Sequence, residues 1–236
     1  VVSSSRELSD VEQTAGAQRV FDLSGGALCL DFANTLDDRP DPRPNELLAS
    51  YDDLLAFSQQ TGSLAEAHLA RLHDLSARRL AEAAAALAQA IELRETIYRL
   101  FLALISGDAA PPADLAALNR ALGEALAHAR IAASSPQARV AAPPTGSRFR
   151  WTWTDDPLSL AMPLWPVARS AAELLTSPVL SALRLCASDR CDWLFLDTSR
   201  NGSRRWCSMR TCGNRAKARR HHARVRAASA TAAPES

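Results

Sequence analysis

Apolar positions along this chain fall mostly at helical spacing. Ser50 stands as an N-cap before YDDLLAFSQQT and Gly62 stands just past its end, which predicts a helix between them. Leu64, Ala67, Leu69, Leu72 and Leu75 keep the helical period through a second segment. Arg79 to Ile105 is rich in Ala and Leu, lacks Gly and Pro, and stops before Gly107, so the longest helix is expected there. Pro111-Pro112 opens another, to about His128. A further helix is expected in LSLAMPLWPVARSAAELL, capped by Asp156 and broken early by Pro163 and Pro166. Alternation appears in fewer places. ARVAA and RFRWTWT read as two strands joined by PPTGS. Phe149, Trp151 and Trp153 share one face of the second strand, and core packing against helices is expected ahead of base stacking. Arg19 to Leu36 is apolar and interrupted at Gly25-Gly26, which predicts two extended segments around a turn. DDRPDPRPNE holds three prolines and is a loop. Residues 1–17 and 228–236 read as disordered, and no internal repeat is found.

At 236 residues the chain can bury a real core in one domain or two. No apolar run reaches membrane-spanning length, and VVSSSRELSDVEQTAGAQRV lacks the basic start and apolar centre of a signal peptide. A soluble, cytoplasmic protein with no membrane partner is expected. The formal net charge of +1 hides an asymmetry. Residues 1–183 carry 15 Arg against 22 Asp plus Glu, and residues 184–226 carry 11 Arg and one Lys against three Asp. An acidic body therefore precedes a basic cap, which points to a polyanion for the cap.

That basic stretch holds four of the five cysteines, in two pairs of equal spacing: Cys186 with Cys191, and Cys207 with Cys212. Two such pairs suit a structural zinc ion, which takes four thiolates tetrahedrally. Zinc stands ahead of a disulfide or an iron–sulfur cluster, since an odd count argues against a closed disulfide framework. Cys29, between apolar neighbours, reads as a buried small hydrophobe. WLFLD and SRRWC have strand character around TSRNG, and Gly213 to Arg226 has helix-forming composition. Knuckle, hairpin, then a helix carrying the last ligands describes a treble-clef-like zinc finger. His221 and His222 are spare, because four cysteines already fill a tetrahedral site.

CASDRCDWLFLDTSRNGSRRWCSMRTCGNRAKARRHHAR resembles the CGNR zinc finger, named for the tetrapeptide standing here as Cys212-Gly213-Asn214-Arg215. Upstream, GGALCLDFANTLDDR is similar to the opening motif of the ABATE domain, a family assigned to stress-induced transcription regulation. The resemblance implies an ABATE-like domain over 18–180 and a CGNR finger over 181–227. It also implies a bacterial regulator that contains zinc and binds nucleic acid. The fold class expected is α+β: a mainly helical N-terminal domain with a small antiparallel sheet, plus the treble-clef-like finger.

Arg200, Arg204 and Arg205 on the finger hairpin, with Arg215, Lys217, Arg219, Arg220 and Arg224 on the last helix, are the candidate nucleic-acid contacts. DNA is expected ahead of RNA. At 100° per residue Arg215, Arg219, His222 and Arg226 form one stripe, opposite Lys217, Arg220, His221 and Arg224. One stripe is expected to meet the acidic body and the other to meet phosphates. Asp31, Asn34 and Arg39 are candidates for a small-molecule effector pocket, against a structural role in turns. A homodimer is a further candidate assembly. No Gly-rich phosphate loop, G-x-S-x-G or H-E-x-x-H occurs, and His68 and His73 read as exposed helix positions, so no enzyme is expected. Two function classes stay open: a zinc-dependent, DNA-binding transcription regulator, and a zinc-stapled protein-interaction module without direct nucleic-acid binding.

Overall fold

A computed structural model describes residues 19–133, 148–154, 158–219 and 222–223. The architecture is mainly helical, with three separate two-stranded antiparallel sheets among the described residues. The spine is α4 (Leu80–Ser106). It ends where predicted, because Gly107 takes the left-handed conformation at φ 79 that closes a helix at no Cβ cost. Ala83, Ala86, Ala90, Leu93, Ile97, Leu100 and Phe101 form its buried face.

The helices around α4 follow their caps. In α2 (Tyr51–Thr61) the Ser50 hydroxyl accepts from the Asp53 amide while the Asp53 carboxylate accepts from the Ser50 amide, a full capping box. Gly62, at φ 63, ends it. Next come α3 (Glu66–Arg78) and, after α4, α5 (Pro112–His128), which starts on the expected proline. Short linkers make α4 and α5 antiparallel neighbours. The last helix of the body, α6 (Leu164–Leu175), starts after Pro163 and holds Pro166 in its first turn, where a missing N–H costs nothing. Asp156, the expected cap, lies outside the described residues.

Two expectations are corrected. LCLDFA is not extended but forms α1 (Leu28–Ala33), whose Cys29, Leu30, Phe32 and Ala33 are fully buried. A short, mostly apolar run looks the same as strand or helix, and burial between α4 and α6 decides it here. Gly25 and Gly26 do make the preceding turn. Gly26 sits at φ 85, and a Cβ on Gly25 would stand 2.9 Å from the Asp31 carboxylate. The second correction concerns the body hairpin. β4 (Phe149–Trp153) pairs with β3 (Ala129–Ala133), Ile131 opposite Trp151, so its partner is ARIAA. ARVAA lies outside the described residues. Of the aromatic stripe only Trp153 is buried, at 6.0 Å from the Trp165 ring, whereas Phe149 and Trp151 are exposed.

The proline-rich loop is pinned at its base. β1 (Leu36–Asp37) pairs with β2 (Asn45–Glu46), Leu36 opposite Glu46. After α6 a short 3-10 helix (Pro178–Ala182) leads into β5 (Leu183–Leu185), which pairs with β6 (Leu194–Leu196). No helix among the described residues is long and apolar enough to cross a membrane.

Candidate metal centre

The cysteine knuckle is the tip of the β5–β6 hairpin. Cys186 follows β5 directly, its amide donating to the Trp193 carbonyl at 2.8 Å, and Cys191 closes the turn on Ser188. Asp192 takes φ 55, reversing the chain into β6. The sequence had suggested a hairpin between WLFLD and SRRWC. Instead WLFLD pairs backwards with LRL, and 198–206 is a loop. Asp197 organises that loop, accepting from the Ser199 amide and hydroxyl and from the Arg204 amide. The Ala187 amide then donates to the Arg205 carbonyl, which brings Cys207 back beside the knuckle. Cys212 lies in a widened π turn (Met209–Gly213), and residues 214–219 continue as α-helix.

The four cysteine sulfurs lie within 4.8 Å of one another and all four residues are buried. Cys191 Sγ is 3.6 Å from Cys207 Sγ, and Cys207 Sγ is 3.8 Å from Cys212 Sγ. A disulfide needs about 2.05 Å. A tetrahedral ion with Zn–S bonds of about 2.3 Å has sulfur–sulfur edges of about 3.8 Å, which is the spacing seen. The donor set thus fits zinc by chemistry and by size. Trp193 and Phe195 wall the cluster from water, and the Cys207 amide donates to Cys186 Sγ at 3.4 Å. The thiols also compete for protons. Hydrogen bonds from the Cys191 and Cys207 thiols draw Cys186 well down, and donating to Cys186 pushes both partners up.

Residues 26–178 match the family model described as "Putative stress-induced transcription regulator", named ABATE, and residues 182–225 match the CGNR zinc finger. The chain belongs to the ABATE family. No curated protein matches it. The cofactor is zinc, at the four-cysteine cluster of the CGNR finger.

The ABATE opening motif is the seat of this finger. Asn34, at the end of α1, donates its amide to the Leu194 carbonyl at 2.9 Å and accepts from the Leu194 amide at 2.9 Å. One side chain thereby satisfies both backbone groups of a buried β6 residue. The Leu196 amide donates to the Gly25 carbonyl, and the Asp197 amide to the Ala182 carbonyl. Asp31, picked as an effector contact, accepts from the Gly25 amide at 2.8 Å and so holds the glycine turn under β6. Burial pushes its carboxyl up to about 6. Arg39 bonds the Ala33 carbonyl and both Glu95 oxygens, and lies 3.8 Å from the centre of the Tyr98 ring. The Tyr98 hydroxyl reaches the Asp192 carbonyl on the knuckle. Asp31, Asn34 and Arg39 thus meet the finger or its supports, and none of them lines the cleft beside α2 and α3 or the one between α4 and α5.

Sequence reasoning missed the layer beneath. Arg94, buried on α4, makes a bidentate pair with Glu46 and a third contact to Glu95. Burial raises the Glu95 carboxyl, but Arg39 and Arg94 outweigh it and hold the group below its usual range. The visible signal was the adjacent pair Arg94-Glu95, which falls among the buried positions Leu93, Thr96 and Ile97 of α4.

The candidate nucleic-acid residues divide. Arg204 is turned inward, bonding the Trp206 and Cys207 carbonyls and reaching the Ser24 carbonyl, with its guanidinium 4.6 Å from the Phe195 ring centre. It ties the finger together and is not a free cation. Arg215 comes within 3.9 Å of Asp38 in the proline-rich loop, and Arg219 pairs with Asp189 on the knuckle. Arg200, Arg205 and Lys217 are exposed, as are Arg190 and Arg210, which the sequence reading passed over. Arg220 and Arg224 lie outside the described residues.

Proposed function

We propose that this protein is a transcription regulator of the cytoplasm. Its zinc finger binds duplex DNA through backbone phosphates, and its ABATE domain senses a small effector. One observation carries the reading. On the finger Arg200, Arg205, Arg210 and Lys217 are exposed and make no ion pair among the described residues, while the body is net acidic. Free arginines on a metal-fixed surface are the electrostatic footprint of a polyanion site. The metal's part would be structural: Cys186 and Cys191 on the knuckle and Cys207 and Cys212 after the loop would hold it, fixing these two segments together and the arginines with them. The chain's own residues do the binding, with Arg forks suited to phosphate oxygens. Fluorescence anisotropy with labelled duplex DNA tests this. Binding of random-sequence duplex that weakens steeply with salt supports it, and no binding at low salt overturns it.

The interaction-module reading keeps one supporting observation. Arg215 toward Asp38, and Arg190 toward Asp41, place finger cations against body acids at 3.9 Å each. The finger already docks a protein surface, its own ABATE domain. Under the regulator reading these same contacts are where nucleic acid and body compete.

A further inference from the structure

Away from the finger, α4 and α5 face each other across an open cleft of about 330 Å³. Each helix contributes one stripe at three-and-four spacing: Gln89, Glu92, Leu93 and Thr96 from α4, and Ala117, Arg120, Ala121 and Glu124 from α5. The Arg99–Asp114 ion pair, at 2.6 Å, sets the antiparallel register. It puts Glu92 and Leu93 level with Arg120 and Ala121. Alanines leave the space: Ala117 and Ala121 on one wall and Ala161 at the foot stand where larger side chains would close it. The floor is apolar and fixed. Trp165 and Leu164 are buried, and the Trp165 ring is held by a parallel stack on His128 with centroids 4.1 Å apart.

The rim carries polar groups of both signs, and Glu92 feels the Arg99 charge from along α4. Among the described residues Arg120, Gln89 and Glu92 have no hydrogen bond or ion pair, and Glu124 has only a long contact from the Trp165 indole N–H at 3.5 Å. Arg120 and Glu92 line the cleft from opposite helices without pairing within 4 Å, and Glu124 stands one turn along α5 from Arg120. One cation and two carboxylates at the rim of an apolar floor match a ligand that joins an anion, a cation and an apolar body. We infer that this cleft binds a small zwitterion of the α-amino-acid type with a large apolar side chain. The carboxylate pairs with the Arg120 fork, the ammonium with Glu92 and Glu124, and the side chain lies on the Leu164–Trp165 floor. The volume is at the low end for ligand sites, which limits the guest to a small molecule. This deepens the reading of the ABATE domain as a sensor, and its test does not depend on nucleic-acid binding.

Isothermal titration of the full-length, zinc-loaded protein with L-phenylalanine as probe tests the inference. Two half-probes accompany it, 2-phenylethylamine without the carboxylate and 3-phenylpropionate without the ammonium. L-Phenylalanine is expected to bind, with each half-probe weaker by about tenfold or more. Arg120→Gln should weaken L-phenylalanine by a similar factor while leaving 2-phenylethylamine unchanged. Ala121→Leu should fill the cleft and abolish binding. Should Ala121→Leu disturb folding, Ala117→Leu fills the same space from one turn away. Absence of heat with millimolar L-phenylalanine would overturn the site. So would equal binding of the half-probes, or full binding in a folded cleft-filling variant. DNA titrations of the same preparations report separately on the finger.

Discussion

Asn34 shows what one residue does in this fold. Its amide replaces a strand partner for Leu194, and that pairing spans 160 positions of chain. Asn34→Ala leaves a buried N–H and a buried C=O without partners, a cost of about 2–4 kcal/mol for the two groups. Urea unfolding should show that loss; an unchanged midpoint would remove Asn34 from the seat. Asp31 has a different signature. Its carboxyl is held up to about 6, above its ordinary value, chiefly by burial. The folded state therefore holds its proton more tightly than the unfolded state, and the associated stability is present below about pH 4 and lost as pH rises through about 6. Asp31→Asn keeps the acceptor for Gly25 and removes the titration. It should raise the melting midpoint at pH 7.5, with the gain vanishing near pH 4. A gain that is the same at both pH values would contradict this origin. The sequence marked Asp31, Asn34 and Arg39 as polar points in an apolar segment. Asp31 and Arg39 also bond backbone close by in sequence, at Gly25 and Ala33, but Leu194 for Asn34 and Glu95 for Arg39 lie on elements that only the fold brings near.

At the scale of elements, β6 belongs to two cores at once. Leu194 and Leu196 join the body core, whereas Phe195, with Trp193 just before the strand, joins the cysteine cluster. That is the period-two alternation of a strand with a hydrophobic layer on each side. Zinc loss should therefore be felt beyond the finger. Cys207→Ser should lose the metal by elemental analysis and lower the melting midpoint of the whole chain in one transition. An unchanged body transition beside a melted finger would show two independent units. The shared strand also makes a finger cut free at residue 180 a poor mimic of the native one, because it exposes Leu194 and Leu196. Helices with local caps were legible: Ser50, Gly62, Gly107 and Pro112 mark ends that hold in the structure. Elements set by long-range packing were not. α1 carries too few residues for its period to show, and the partner of β4 was taken from the nearer segment. The cysteine spacing was legible because a tetrahedral ion imposes the same local geometry wherever it binds.

On the scale of the whole molecule, acidic body and basic cap meet at the proline-rich loop. Asp38 and Asp41 lie by Arg215 and Arg190, so carboxylates stand where phosphates would. Replacing both with Asn in the full chain should tighten DNA binding several-fold at low salt, and the gain should fade as the screening length drops toward about 8 Å at physiological salt. Asn tolerates the left-handed backbone of Asp38, so the loop should persist. Equal affinity at every salt concentration would remove the loop as a competitor. The central claim is that a zinc-shaped arginine surface grips the phosphate backbone. The most direct measurement is the salt dependence of binding to random-sequence duplex DNA, for zinc-loaded protein and for protein stripped by a chelator. About six phosphate contacts predict a slope of log affinity against log salt near −5, lost with the metal. A shallow slope, or a slope that survives zinc removal, would contradict the account.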